Sequence, residues 1–188
     1  MRLYMILIGC KPKGRIIEQH DIFFGVGDSL GELIPHLQAF WPEANGNLHI
    51  DAWREVTAVD GYKISVIPRA NRNDKEIGLQ LFFLNLGGYR EQEFEEYHYK
   101  VITVARNLAE ATKNAKAVSF YKHFGFKDAV SHIDEKYGVD VDDIHNVKDI
   151  LNTDWKRQFH IEITKSLTDL PLDKLHIGYL VLRKLIHL

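Results

Sequence analysis

One cysteine, five prolines and no long apolar run set the first limits on this 188-residue chain. A lone Cys10 cannot close an intrachain disulfide, which fits a reducing compartment. No apolar stretch approaches the roughly 20 residues that a membrane-spanning helix needs. Residues 7–10, Leu-Ile-Gly-Cys, match a lipoprotein cleavage box, but the apolar segment before them is too short for a leader. The same segment also recurs in mid-chain at residues 81–87, which marks it as a strand. Charge is not concentrated either: 24 basic and 26 acidic residues leave a net charge of -2. The basic residues are dispersed, so the chain lacks the linear basic patch of a nucleic-acid binder. Low-complexity tracts are absent. These absences together predict a soluble cytoplasmic protein with neither a membrane nor a nucleic-acid partner.

What is present is a duplication. Shifted by 78 positions, residues 3–39 lie on residues 81–117 without a gap. Leu3/Leu81, Gly9/Gly87, Glu18/Glu96, His20/His98, Val26/Val104, Leu30/Leu108, Glu32/Glu110 and Ala39/Ala117 are identical pairs. Chance would leave roughly two identities in such a window, so a repeat is the better account. A hydrophobic content of 45% is enough to bury a substantial core.

Each repeat reads as a β-β-α-β-β unit. Residues 3–8 form an apolar run ending at Gly9, the pattern of a strand buried on both faces, and residues 22–26 follow as a second strand. Ser29 with Glu32, and Asn107 with Glu110, have the spacing of helix-capping boxes. Leu30, Leu33, Ile34, Leu37 and Trp41 then recur at helical spacing, with Pro35 expected to kink that helix. The second helix, residues 108 to about 123, contains no proline and is expected to be straighter. Asp60-Gly61 between residues 48–59 and 62–67 is a hairpin signal, because both positions tolerate positive φ. In the second half, residues 139–147 match the first arm and residues 159–163 resemble residues 62–66, with a polar connection at 152–158. Residues 177–182 echo residues 77–82 as a final strand. The expected architecture is α+β: two tandem units, residues 1–78 and 79–188, mainly antiparallel, with one helix packed on each sheet.

The sharpest chemical pattern is Glu18-Gln19-His20, repeated as Glu96-Tyr97-His98. Residues two apart on a strand share a face, so acid and imidazole can meet in each copy. Such pairs orient a histidine within a fold, and they also supply metal ligands. His49-Ile50-Asp51 repeats the same-face pattern. Its counterpart is either His132-Ile133-Asp134 or the stretch 141–144, Val-Asp-Asp-Ile. The basic loop 9–15 has glycines but lacks the lysine and hydroxyl residue of a nucleotide-binding loop, which leaves Arg15 as a candidate anion contact. Cys10 has no histidine placed locally as a base and is not read as a nucleophile. Residues 117–126 resemble a late acetyltransferase motif without the cofactor loop that should precede it, a pattern that helix packing explains.

Read together, the segments Leu3-Tyr4 with Gly9, Gly14-Arg15 with Ile17-Glu18 and His20-Asp21, and Phe24 with Val26-Gly27 and Ser29 resemble a known family. His49-Ile50-Asp51, Val59-Asp60-Gly61-Tyr62 with Ile64, and Asn85-Leu86-Gly87-Gly88-Tyr89 continue the likeness. The family is the bacterial domain of unknown function 1543. The similarity is good over residues 1–90, looser over 91–165, and does not extend to the last twenty residues. It implies a compact duplicated domain and brings no activity, cofactor or catalytic residue. The function expected is a non-enzymatic binding module for a small polar or anionic ligand or a protein partner. Arg15, Glu18, His20, His49, Asp51, Glu96 and His98 are its candidate contacts, with no metal or cofactor assigned. A metal-assisted hydrolase built on the Glu-x-His pairs and a homodimerisation domain are the alternatives.

Overall fold

The computed structural model describes residues 1–72, 78–89, 92–123 and 140–187. The chain forms two compact units, residues 1–72 with 151–188, and residues 73–150. The expected single division between residues 78 and 79 is therefore revised, because strands from residues 151–188 pair with strands of the first unit. No helix among the described residues is long and apolar enough to cross a membrane.

In the first unit, β1 (Arg2–Cys10) is flanked by β2 (Gln19–Gly27) and β3 (His49–Glu55), both antiparallel. Tyr4, Ile6, Ile8 and Cys10 are buried on one face of β1 and Leu3 and Met5 on the other, as the apolar run predicts. Burying each large apolar side chain contributes about 1.5–3 kcal/mol, which secures the register against a one-residue slip.

After Ser29 the chain enters a 3-10 turn at Gly31–Leu33, and α1 runs only from Ile34 to Phe40. Pro35 thus sits in the first helical turn, where its missing amide has no carbonyl to satisfy. The kink expected from it does not arise.

Asp60 and Gly61 both have positive φ, 52° and 75°, and make the tight turn between β4 (Ala58–Val59) and β5 (Tyr62–Pro68). The long arm expected before that turn is split. Val56 donates its amide to Leu3, while Thr57 accepts from the Ile64 amide, so the chain changes sheets between them. The segment expected as a polar connection, 152–158, contains α4 (Thr153–Gln158), with the Asn152 side chain accepting from the Trp155 amide at 2.8 Å. The Trp155 ring lands against Phe23 and His36. β9 (Phe159–Lys165) pairs along the whole of β5, and β10 (His176–Val181) adds an outer strand beside β3.

The second unit repeats the start of this plan. β6 (Gln80–Tyr89) lies between β7 (Glu96–Ala105) and β8 (Asp140–Asn146), again antiparallel. Its helix α2 (Leu108–His123) brings Ala111 and Ala115 close against Phe82, Leu84 and Leu86. A short helix α3 (Val147–Ile150) follows β8. The chain is α+β with mainly antiparallel sheets, and among the described residues each unit has one short α-helix more than expected, besides the 3-10 turns.

The two helix entries share one hydrogen-bonding device. The Glu32 amide donates to Ser29 Oγ at 3.4 Å and its carboxylate accepts from the Asp28 amide at 2.9 Å. The Glu110 amide donates to Asn107 Oδ1 at 2.9 Å and its carboxylate accepts from the Arg106 amide at 2.8 Å. That last bond holds the Glu110 carboxyl below its ordinary range. A depressed folded value contributes stability at neutral pH that is lost as pH falls through it. Asn107→Ala should cost about 1 kcal/mol. Glu110→Gln should be less stable than the parent above about pH 4.3, the ordinary glutamate value, and the gap should close in more acid solution. Thermal unfolding across a pH series measures both, and a gap indifferent to pH would contradict the assignment.

Candidate functional site

Strand pairing places two histidines beside one glycine. Gly9 near the end of β1 is opposite His20 on β2 and opposite His49 on β3. The three residues form a row across the sheet, on the face turned away from Phe23 and Gly25. The latter glycine packs beneath Leu33 at the helix entry. Beyond Ile50 the register shifts, because Ile8 is opposite Ile50 and Leu7 opposite Ala52. Asp51 is the extra residue of that bulge, and the bulge brings its carboxylate over Gly9 beside His49.

The result is a close cluster. His20 Nε2 is 3.1 Å from Glu18 Oε1 and 3.4 Å from Asp51 Oδ2, while His49 Nε2 is 3.0 Å and 3.4 Å from the same two oxygens. One donor atom from each of the four side chains lies within 4.8 Å of all the others. The cluster is graded in exposure: the His49 side chain is 5% exposed, Asp51 24%, and Glu18 and His20 43%. Asp51 Oδ2 is buried without a hydrogen-bond partner. Tyr179 of β10 covers the His49 ring at 4.5 Å between centroids. It reaches there because β10 is itself out of register between Ile177 and Leu180, and Gly178 takes a φ of 139°.

Gly9 makes this possible. A Cβ at position 9 would lie 2.6 Å from His49 Nε2 and 2.7 Å from Asp51 Oδ2, inside van der Waals contact. Cys10, next in sequence, points to the opposite face, where it is fully buried. Burial pushes its thiol pKa up, with Glu18 and Glu43 adding to the effect, which disfavours the reactive thiolate.

The second unit carries a related cluster. Gly87 is opposite His98 on β7 and Asp140 on β8, and a register shift on β8 releases Asp142. Glu96, His98 and Asp142 bring donor atoms within 4.8 Å of one another, with His98 Nε2 3.3 Å from Asp142 Oδ2. Residues 140–142 therefore hold the positions equivalent to His49-Ile50-Asp51, and the stretch 141–144 supplies Val141 and Asp142 for Ile50 and Asp51. Its rival, residues 132–134, lies outside the described residues, as does the end of the acetyltransferase-like motif at 124–126.

Each sequence-predicted pair, Glu18/His20 and Glu96/His98, thus meets partners within its own unit, and His49 and Asp51 join the first of them. Arg15 stays on the exposed connection between β1 and β2, its amide donating to Pro12 at 3.1 Å. Asp142 and Tyr179 were not foreseen as site residues. For Asp142 a signal existed in the competing alignment of residues 141–144. For Tyr179 the two-residue strand alternation gives none, since a bulge places it.

Residues 15–66 match the model of the family described as Domain of Unknown Function (DUF1543), a span that includes Glu18, His20, His49 and Asp51. The resemblance read from the sequence is borne out over that span. The crystal structure of a protein Il1583 from Idiomarina loihiensis is similar in fold, with a TM-score of 0.64 and 23% identity. The similarity covers 96% of this chain and 97% of that one. No curated protein matches the chain.

The two glycines make contrasting predictions. At Gly9 an added methyl meets the buried His49 ring, whereas at Gly87 it meets the Asp142 carboxylate, whose side chain is 32% exposed and can swing aside. Gly9→Ala should therefore destabilise by about 1–3 kcal/mol, and Gly87→Ala by less. Urea unfolding of the two variants makes the comparison, and the reverse order would refute the placement of His49 over Gly9.

Proposed function

We propose that the first unit is a binding module for a divalent transition-metal ion, with Glu18, His20, His49 and Asp51 as its ligands. The observation that supports this most directly is the shape of the cluster. Bonds of about 2.0–2.1 Å from a tetrahedral ion to nitrogen and oxygen imply ligand-to-ligand edges of about 3.3 Å. The four nitrogen-to-oxygen separations of 3.0–3.4 Å fit such edges.

The electrostatics favour the same reading. Two carboxylates converging beside two imidazoles attract a cation and disfavour the anionic ligand expected from the sequence. A buried carboxylate oxygen without a hydrogen bond costs about 1–3 kcal/mol, a cost that coordination of Asp51 Oδ2 offsets. The donor set of two imidazoles and two carboxylates is of intermediate softness, suited to zinc and its first-row neighbours rather than to calcium or magnesium. On this reading the polar ligand of the binding module is a cation rather than an anion.

Zinc chloride titrated calorimetrically into metal-stripped, untagged protein should show a tight step of one ion per chain. His49→Ala should weaken that step by about 100-fold or more, and Asp51→Asn should weaken it to a lesser degree. Arg15→Ala should leave it unchanged. Zinc at about 100 times its dissociation constant should also stabilise the parent by about 2.7 kcal/mol. An affinity indifferent to both His49→Ala and Asp51→Asn would refute the reading. Because protons compete for the imidazoles, the tight step should weaken on acidification.

A further inference from the structure

Of the eight residues that the two halves hold in common, most have an evident structural reason. Leu3/Leu81 and Val26/Val104 are buried in their sheets. Leu30/Leu108 and Ala39/Ala117 belong to the helical segments, and Glu32/Glu110 complete the helix caps. What remains is Gly9/Gly87, Glu18/Glu96 and His20/His98. All six of these residues belong to the two clusters. The equivalence extends to a residue that the gapless alignment does not reach, since Asp51 and Asp142 occupy matching bulges on β3 and β8. Around these positions the halves have otherwise diverged. Where Leu7 and Ile22 adjoin the first cluster, Asn85 and Lys100 adjoin the second, yet both faces keep an acid, an imidazole, a bulged aspartate and the glycine that makes room for it.

We infer that Glu96, His98 and Asp142 form a second divalent-cation site, weaker than the first and harder in its donor chemistry. The inference rests on the metal reading of the first cluster and extends it to the second unit. Gly87 supports it independently of the repeat, because a Cβ there would collide with the Asp142 carboxylate, so the strand is cleared beneath the donors. Three features set the affinity order. The register position of His49 is taken by Asp140, so one imidazole is lost to an acidic residue type. His98, at 39%, is about as exposed as its counterpart His20 at 43%, but the second cluster has no donor as buried as His49 at 5%, so solvent competes more effectively. Lys100, two residues from His98 on the same strand face, stands where the first unit has Ile22, and its ammonium donates to the His98 carbonyl at 3.2 Å. A cation so close opposes another. One imidazole with two carboxylates also moves the preference toward oxygen-loving ions such as manganese.

The test is the same zinc titration, extended to saturation on the full chain and repeated with manganese. The parent should bind two zinc ions per chain, the second at least about tenfold more weakly. His98→Ala and the size-conserving Asp142→Asn should each remove the weak step and leave the tight one. His49→Ala should do the converse. The ratio of zinc to manganese affinity should be smaller at the weak step than at the tight one. A parent that saturates at one ion, or a weak step untouched by both His98→Ala and Asp142→Asn, would overturn the second site while leaving the first intact. Conversely, a tight step that survives His49→Ala and Asp51→Asn while the weak step responds to His98→Ala would refute the first assignment and support this one. Far-ultraviolet circular dichroism shows that each variant is folded, and Asp142→Asn serves if His98→Ala is not.

Discussion

The arrangement depends on a residue with no side chain in a strand with no free edge. β1 is hydrogen-bonded on both sides and buried on both faces, so its position is set by the ladder and the core together. At its end Gly9 removes one side chain from a row of three, and the neighbouring strands fill the gap with His20, His49 and Asp51. Polar groups that approach one another this closely need a support that does not yield. Here the support is the backbone of a central strand rather than a loop, and β6 provides the same support at Gly87.

The features legible in the sequence are those governed by local physics. The apolar run at residues 3–8, the caps at Ser29 and Asn107, and the Asp60-Gly61 turn are each decided within a few residues. The facing of Glu18 and His20 follows from the two-residue period of a strand. The features that escaped depend on pairing between distant segments. His49 approaches His20 only because β2 and β3 both flank β1; the strand period gives the facing of His49 and Asp51, but it does not announce the bulge at Asp51. Tyr179 reaches His49 from the far end of the chain by a further irregularity. Two misreadings had a local remedy. Pro35 is favourable in a first helical turn, and Asn152, with Asp154 after it and Lys156-Arg157 at the end, carries the polarity of a short helix.

The two units show how a fold can be kept while its electrostatics change. Backbone register, bulge and glycine are shared, yet Ile22 gives way to Lys100 and His49 to Asp140. None of these exchanges disturbs the hydrogen-bond ladder, because side chains on a sheet face project away from it. The ladder preserves where donors stand, and the identity of a few neighbours tunes what they attract.

The discontinuity of the first unit bears on how the molecule is made. Its strands β3 and β5 find β10 and β9 only after the whole second unit has been synthesised. Closing so long a loop in a disordered chain carries a conformational penalty that grows with its length. The second unit is contiguous and can fold first on shorter-range contacts. Its two ends are then tied together, with Phe82 opposite Asn146 and the Asn146 amide donating to the Gln80 side chain. With those ends side by side, the chain that separates β5 from β9 closes as a short loop would, and the entropy that an unstructured insert of the same length would cost is largely avoided.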